Sequence, residues 1–395
     1  MHARWLPALW VLGCGATSDE IGTTEVATSS APGSSGTTSE GTTCSSSTSG
    51  VPTSSSSGAV VGSGLLLLDG YVVGVGVTDI KIVGGEITEV GELAAVEGDE
   101  VVDLSGKWVT PAFIDSHVHL IYLNEPMLLA AGGVAAGVDM AAPVAIFEAD
   151  LSPMRVVAAG PMITAIDGYP TQSWGANGYG LECADAAAAT AAVEQLHDLG
   201  AGLIKLPVMA SAAQLDDAAL TAAVARAHEL GLRVASHAMG ENEARRAGLA
   251  GADVLAHTPT QPLSDETIAL WADRAVVSTV GAFGGSAGAV DNLKKLHAAG
   301  ARVLYGTDFG NSSVLGIDAG ELALMVSAGM TPAEVLAAGT SAPAEFWGPL
   351  AEPLGALTPG KDGSLLVLNA DPLVELATLG SPSRVYVRGV RVDPG

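Results

Sequence analysis

Apolar positions along the chain fall into distinct textures. From Ala59 to Trp108, Val, Ile and Gly make short runs broken at Asp69-Gly70, Gly84-Gly85 and Ser105-Gly106, which predicts short antiparallel strands. The same texture returns between Gly363 and Val392, in SLLVLNAD and RVYVRGVRV. Between these ends, short continuous apolar runs alternate with Ala-rich stretches of helical period. The runs predict strands at Val109–Asp115, Gly137–Ala141, Arg155–Ile163, Leu203–Val208, Arg233–His237, Asp253–His257, Ala275–Val280 and Arg302–Gly306. Helices such as Asp185–Leu199 and Asp216–Leu230 stop at Gly200 and Gly231, since glycine readily takes the left-handed turn that ends a helix. Eight strands alternating with helices predict an α/β fold, a (β/α)8 or TIM barrel over residues 109–350. The β-rich pieces 59–108 and 351–395 are expected to meet in one small β-sandwich.

The first 58 residues depart from this pattern. MHARWLPALWVLGCG has one early arginine, an apolar run from Trp5 to Leu12, then Gly13 and Cys14. It resembles a bacterial lipoprotein signal, with V-L-G-C as the lipobox. That resemblance implies a signal over 1–14, lipidation of Cys14, and export to the periplasmic or outer face of a bacterial membrane. Residues 15–58 are mostly Gly, Ser and Thr, a composition that buries almost nothing and predicts a disordered tether. No other run reaches the ~18 apolar residues of a membrane helix.

Charge narrows the partners. Forty-three acidic against 17 basic residues give a formal net charge of -26, which disfavours nucleic acid and bare anionic membrane. Membrane contact is therefore expected only through Cys14. Cys44 lies in the tether and Cys183 in the globular part, so no disulfide framework is suggested. At 395 residues and 48% apolar content the chain can fill a large core, and a homo-oligomer is compatible with it.

The chemistry concentrates in a few polar residues at strand ends. In FIDSHVHL, His117 and His119 share one face of a strand, with Ser116, Val118 and Leu120 on the other. Two neutral imidazoles side by side begin a metal site, but an isolated H-x-H is equally a pair of hydrogen-bonded core histidines. The remaining histidines help to decide. His197, His228 and His297 each precede a glycine by three residues, in the last turns of helices, where the helix dipole favours positive charge. His2 lies in the signal. His237 in RVASHA and His257 in DVLAHT end predicted strands, and Asp308 follows the eighth in VLYGTD. In a barrel these ends converge on one mouth. Lys205, inside GLIKLPV, would bear a large desolvation cost as a free ammonium, which favours a functional role.

H-x-H after strand one, a lysine on strand four, histidines ending strands five and six and an aspartate after strand eight resemble the amidohydrolase superfamily, specifically its binuclear members. DLSGKWVTPAFIDSHVHL and LGALTPGKDGSLLVLNADPL are similar to that family's passages into and out of the barrel, so the resemblance runs from about Val60 to the C-terminus. It implies two divalent ions, commonly zinc, bridged by a CO2-derived carbamate on Lys205. By the same resemblance His117, His119 and Asp308 bind the more buried ion and His237 and His257 the other. Ala112 stands where a glycine is usual, and Gly363-Ser364 where Ala-Asp is usual. The implied chemistry is hydrolysis of an amide-like C–N bond, cyclic or linear, by a hydroxide held between the metals, with Asp308 moving the proton.

Within the superfamily the motif spacing is most similar to imidazolonepropionase-like amidohydrolases and prolyl dipeptidases. Xaa-Pro or other dipeptides, esters and lactones are the neighbouring substrates. A tethered binding protein without turnover is the alternative of another class, and the full ligand set with Asp308 argues against it. The long connection DGYPTQSWGANGYGLE is expected to overhang the mouth. Its Tyr169, Trp174 and Tyr179 either contact substrate or pack the loop on itself. The connections after the strands contain no Lys or Arg, while Glu125, Asp167, Glu241 and Asp318 add negative potential.

Overall fold

Both ends of the globular part enter one eight-stranded sheet: Leu65–Val72, Gly76–Val83, Glu86–Gly91, Glu100–Asp103, Trp108–Pro111, Leu365–Leu368, Arg384–Val387 and Val390–Val392. This is seen in a computed structural model that describes residues 63–350 and 352–392. The signal and tether expected over 1–58, with Cys14 and Cys44, lie outside the described residues. The ends join where Leu365–Leu368 runs antiparallel to Trp108–Pro111. Alternation along Leu365–Leu368 shows how the sheet is used: Leu365 and Val367 pack into its own core with Leu67, Ile80 and Val109, whereas Leu366 and Leu368 join the barrel core.

Three local expectations are corrected here. Val109–Pro111, read as the opening of the first barrel strand, belongs instead to a strand Trp108–Pro111 that pairs with Tyr71–Val72 and Leu365–Leu368. Asp69-Gly70 is not a turn but a bulge within Leu65–Val72, where Asp69 takes a φ of 56° and the register shifts. The pairing is also mixed, because Glu100–Asp103 and Trp108–Pro111 both run parallel to the first strand.

The barrel strands are, in order, Phe113–Val118, Val134–Asp139, a third in two pieces, Leu203–Pro207, Arg233–His237, Val254–Leu255, Ala275–Val277 and Arg302–Leu304. The third was expected to be continuous over Arg155–Ile163. It breaks into Arg155–Ala158 and Met162–Ala165, because Gly160 has a φ of 70° and Pro161 has no N–H to donate. The second begins three residues earlier than expected, since Gly133 at φ 98° ends the preceding helix. Strands four to eight form a continuous parallel ladder, and strand eight closes on strand one through Ser116 N–H to Tyr305 O at 2.9 Å and His119 N–H to Phe309 O at 2.7 Å. Sheet on one side and helices on the other bury both faces, which is why every residue of Phe113–Val118 and Leu203–Pro207 is buried.

Helices form the outer layer. Ala186–Asp198 and Asp217–Glu229 are capped by Asp185 and Asp216, whose carboxylates accept from Ala188 N and Ala219 N. Both end before Gly200 and Gly231 in left-handed conformation, as expected. His197, His228 and His297 occupy last turns and belong to this layer. Among the described residues no helix is long and apolar enough to cross a membrane. The unusual Gly363-Ser364 also has a local cause: a Cβ on Gly363 would stand 2.6 Å from Ile82 Cγ2, and Ser364 Oγ accepts from Arg388 N at 3.0 Å.

Candidate metal centre

Strands five to eight stop short on the mouth side of the barrel, and their polar residues lie at or just beyond the last ladder positions. His237 is the last residue of strand five, His257 lies two residues past strand six and Asp308 four past strand eight. Asp308 adopts a φ of 55°, and Asn311 N–H and Ser312 N–H both donate to its backbone oxygen in a tight turn. His117 and His119 project from the end of strand one, while Ser116 points the other way and its Oγ accepts from Trp347 Nε1 at 3.1 Å. This is the alternation read from FIDSHVHL.

The imidazoles are oriented from behind. His117 Nδ1 donates to Ala256 O at 2.7 Å and His119 Nδ1 to Ala141 O at 3.1 Å, and His257 Nδ1 hydrogen-bonds Thr279 Oγ1 at 3.1 Å. For His117 and His119 these bonds leave Nε2 facing the centre, as the groups that hydrogen-bond metal-binding histidines from behind do. The result is electrostatically demanding. His117 Nε2 and His119 Nε2 lie 3.3 Å apart, and Asp308 Oδ1 is 3.5 Å from the first and 3.2 Å from the second. Donor atoms of these three residues all fall within 4.8 Å of one another. Three lone-pair donors pointed at one spot repel unless a cation or proton sits among them, so this donor set fits a metal ion.

The other predicted ligands border this trio. His257 stacks on His117 with centroids 4.2 Å apart, and His237 stands edge-on to His257 at 5.0 Å. Lys205 is fully buried on strand four, and its Nζ has no hydrogen-bond partner. Burial brings Lys205 down to about 7, with Asp308 and Asp139 opposing. Burial, reinforced by the Lys205 charge, also lowers His237 to about 3 and His117 well below its ordinary value. For Asp308 burial works upward, but His117 and His119 outweigh it and hold the carboxyl at about 2. Neutral His117 and His237 beside an ionised Asp308 are the protonation states that ligands require, whereas at His119 burial works downward but the hydrogen bond and charge of Asp308 outweigh it and raise the imidazole above its ordinary value.

The aromatic connection after strand three packs on itself and also borders the centre. Tyr179 is buried against Ala141 and Met162, and Trp174 Nε1 donates to Tyr169 OH at 2.9 Å, so the loop packs on itself. The same rings reach the centre, with Trp174 5.5 Å from His119 and Tyr169 5.1 Å from His237. Gly180–Cys183 then pairs in parallel with Met162–Ala165, anchoring the far end of the loop.

Several residues at the site were not singled out from the sequence. Asp115 accepts from His117 N at 3.0 Å and from Thr307 N and Oγ1 at 3.1 and 2.5 Å, tying strand one to the turn that carries Asp308. The sequence did hold a signal, since Asp115 lies two residues before His117 on the same strand face. Asp139 accepts from Leu120 N and Ala141 N at 2.6 and 3.1 Å, fixing both the backbone just after His119 and the residue whose carbonyl orients that ring. Glu321 accepts from Val280 N and Gly281 N at 2.9 and 2.6 Å and so holds the connection after strand seven. Tyr122 and Phe283 complete the aromatic wall, Phe283 lying 5.0 Å from His257.

Comparison with known proteins agrees with this geometry. A sequence profile of the amidohydrolase family matches residues 108–392. The dihydroorotase of Anoxybacillus flavithermus is 50% identical over 44 residues, 11% of this chain and 10% of that protein. The imidazolonepropionase of Caulobacter vibrioides is 30% identical over 149 residues, 32% of this chain and 35% of that protein. The chain thus spans between about a tenth and a third of the length of these curated relatives. The solved structure of a Xaa-Pro dipeptidase with methionine bound in its active site is similar in fold, with a TM-score of 0.71 at 21% identity over 83% of this chain and 99% of that one.

Proposed function

The chain belongs to the amidohydrolase family, and from that premise we propose that it is a metal-dependent hydrolase cleaving an amide-like C–N bond, cyclic or linear, in a small molecule or peptide. The observation that carries this reading is the convergence of His117, His119 and Asp308 on one spot, in a barrel whose fully buried Lys205 has no partner. His117, His119 and Asp308 would hold one divalent ion, His237 and His257 a second, and Lys205 both. Imidazole nitrogens with carboxylate oxygens suit a borderline cation such as zinc. When bound, such cations supply a water acidic enough to act as nucleophile near neutral pH and a Lewis acid for the carbonyl.

The chain's own groups do the remaining work. The bonds from Ala141 O and Ala256 O keep the imidazoles in one tautomer and one orientation. Asp308, held ionised, accepts the proton of the attacking water and passes it to the leaving nitrogen. Tyr169, Trp174 and Phe283 stand on His237, His119 and His257 and exclude bulk water. Lys205 near 7 is substantially neutral at physiological pH, and only the neutral amine adds to CO2. In that addition the nitrogen lone pair bonds to carbon, a proton leaves, and the side chain becomes an anionic carbamate.

Metal analysis of the purified protein, with a screen of Xaa-Pro and other dipeptides, N-acyl amino acids, lactams and lactones, tests this reading. About two divalent ions per chain and turnover of at least one amide are expected. Protein that stays metal-free in added zinc, or metal-loaded protein inert across the panel, would defeat it. We also propose that Cys14 anchors the protein to a bacterial membrane after export. Cys14→Ser should then move it to the soluble fraction, and retention with membranes would contradict the anchor.

A further inference from the structure

Charges on the barrel are sorted by end. Arg155, Arg233 and Arg302 are the first residues of strands three, five and eight, and Arg274 directly precedes strand seven, so all four lie at the end away from the histidines. Each is engaged there: Arg155 with Asp362 at 2.6 Å, Arg233 with Phe346 O at 2.6 Å, Arg274 with Gly248 O at 2.8 Å and Arg302 with Glu345 at 3.7 Å. Among the described residues the connections on the mouth side contain no Lys or Arg. The nearest in sequence, Arg245 and Arg246, lie within the helix after strand five. Arg246 is held by Asp217 and Gln214, and the charge of Arg245 acts on Glu241.

Helix N-termini on this side already face acids or hydroxyls. One first-turn N–H in each of the helices after strands three, four, six, seven and eight is bound by Asp185, Asp216, Ser264, Ser286 or Asp318, and the helix after strand five, which starts at Gly240 without a side-chain cap, carries Glu241 and Glu243 in its first turn. Two of the acids expected to face the mouth are also occupied. Glu241 accepts from Ser264 N at 2.9 Å and from Thr267 Oγ1 at 2.7 Å, and Asp318 caps its helix through Gly320 N at 2.7 Å. Glu125 and Asp167 are the other two carboxylates there, and Asp167 Oδ1 accepts from Gln172 Nε2 at 3.0 Å.

Rings surround the centre instead. Trp174, Tyr169 and Phe283 stand on three different histidines, and Tyr122 packs at 5.6 Å from Trp174. Tyr122 is 48% exposed and Phe283 37% exposed, so both still present ring surface. They come from the connections after strands one and seven, which flank strand eight. A wall of this kind gains from burying an apolar or aromatic group, and its ring faces and rim carboxylates repel an anion.

We propose that the protein acts on amides whose group beside the scissile bond is apolar and uncharged, and that it discriminates against those carrying a free carboxylate there. This rests on the hydrolase reading above, but its test is one of binding. The metal-loaded protein is titrated calorimetrically with N-acetyl-L-phenylalaninamide and with N-acetyl-L-phenylalanine, at low and moderate salt. The amide should bind about tenfold tighter, a ratio worth about 1.4 kcal/mol, with an advantage that narrows but survives as salt rises. Tyr122→Ala, a change at a half-exposed ring, should weaken amide binding several-fold and reduce the ratio. Equal binding, tighter binding of the acid, no binding of either at millimolar concentration, or an unchanged ratio in the variant would each overturn the inference. If the amide binds tighter but no amide is hydrolysed, the hydrolase reading fails while the selectivity stands. If amides are hydrolysed and the acid binds tighter, the reverse holds.

Discussion

Removing the Asp115 carboxylate should cost several kcal/mol, although it is not among the proposed ligands. It is fully buried and accepts three hydrogen bonds, from His117 N, Thr307 N and Thr307 Oγ1. In Asp115→Ala the Thr307 hydroxyl can turn to another acceptor, but two buried N–H groups lose theirs. At about 1–3 kcal/mol for each unsatisfied buried group, the loss is about 2–6 kcal/mol. In Asp115→Asn the side-chain oxygen still serves both N–H groups, and the amide NH2 can donate to the threonine hydroxyl, so about 1 kcal/mol is expected. Urea denaturation of metal-stripped protein measures both, and zinc titration reads the second consequence. Asp115 joins the strand that carries His117 to the turn that carries Asp308, so Asp115→Ala should also bind zinc more weakly than Asp115→Asn. If Asp115→Ala unfolds within about 0.5 kcal/mol of the parent, the carboxylate does not hold this junction and the argument is wrong.

Other substitutions separate the remaining roles. Lys205→Ala should lose metal and activity together, with partial recovery in short carboxylic acids such as acetate; full metal content in the variant would remove Lys205 from the site. Asp308→Asn, compared at matched metal occupancy, should lower kcat by about 10²-fold or more, the scale of proton transfer, and an unchanged kcat would contradict its role. Asp99 in the terminal sheet is held at about 2 by Lys81 and the N–H of Val96, against burial, with Gly64 N–H adding to the lowering. Its folded value lies below the unfolded one, so its contribution is complete above about pH 4 and is lost as pH falls towards 2. Asp99→Asn should therefore flatten the acid limb of stability between about pH 4 and 2, and an identical limb in both proteins would show that the pairing is idle.

Much of the centre was legible in the chain because it is written in local patterns. Period two placed His117 and His119 on one face, and the strand-then-helix rhythm put His237, His257 and Asp308 at strand ends, which a barrel must bring together. A lysine inside GLIKLPV was conspicuous because burying an ammonium is costly. What the chain could not disclose depends on partners remote in sequence. The Asp115–Thr307 bond joins residues 192 apart, and Phe283 meets His257, and Tyr122 meets Trp174, only once the strands are closed into one barrel. The transfer of Val109–Pro111 to the terminal sheet has the same origin, whereas the break in strand three is local to Gly160 and Pro161. An apolar run specifies burial, but which neighbour it pairs with is decided by the competing edges that the folded chain presents, here Leu365–Leu368.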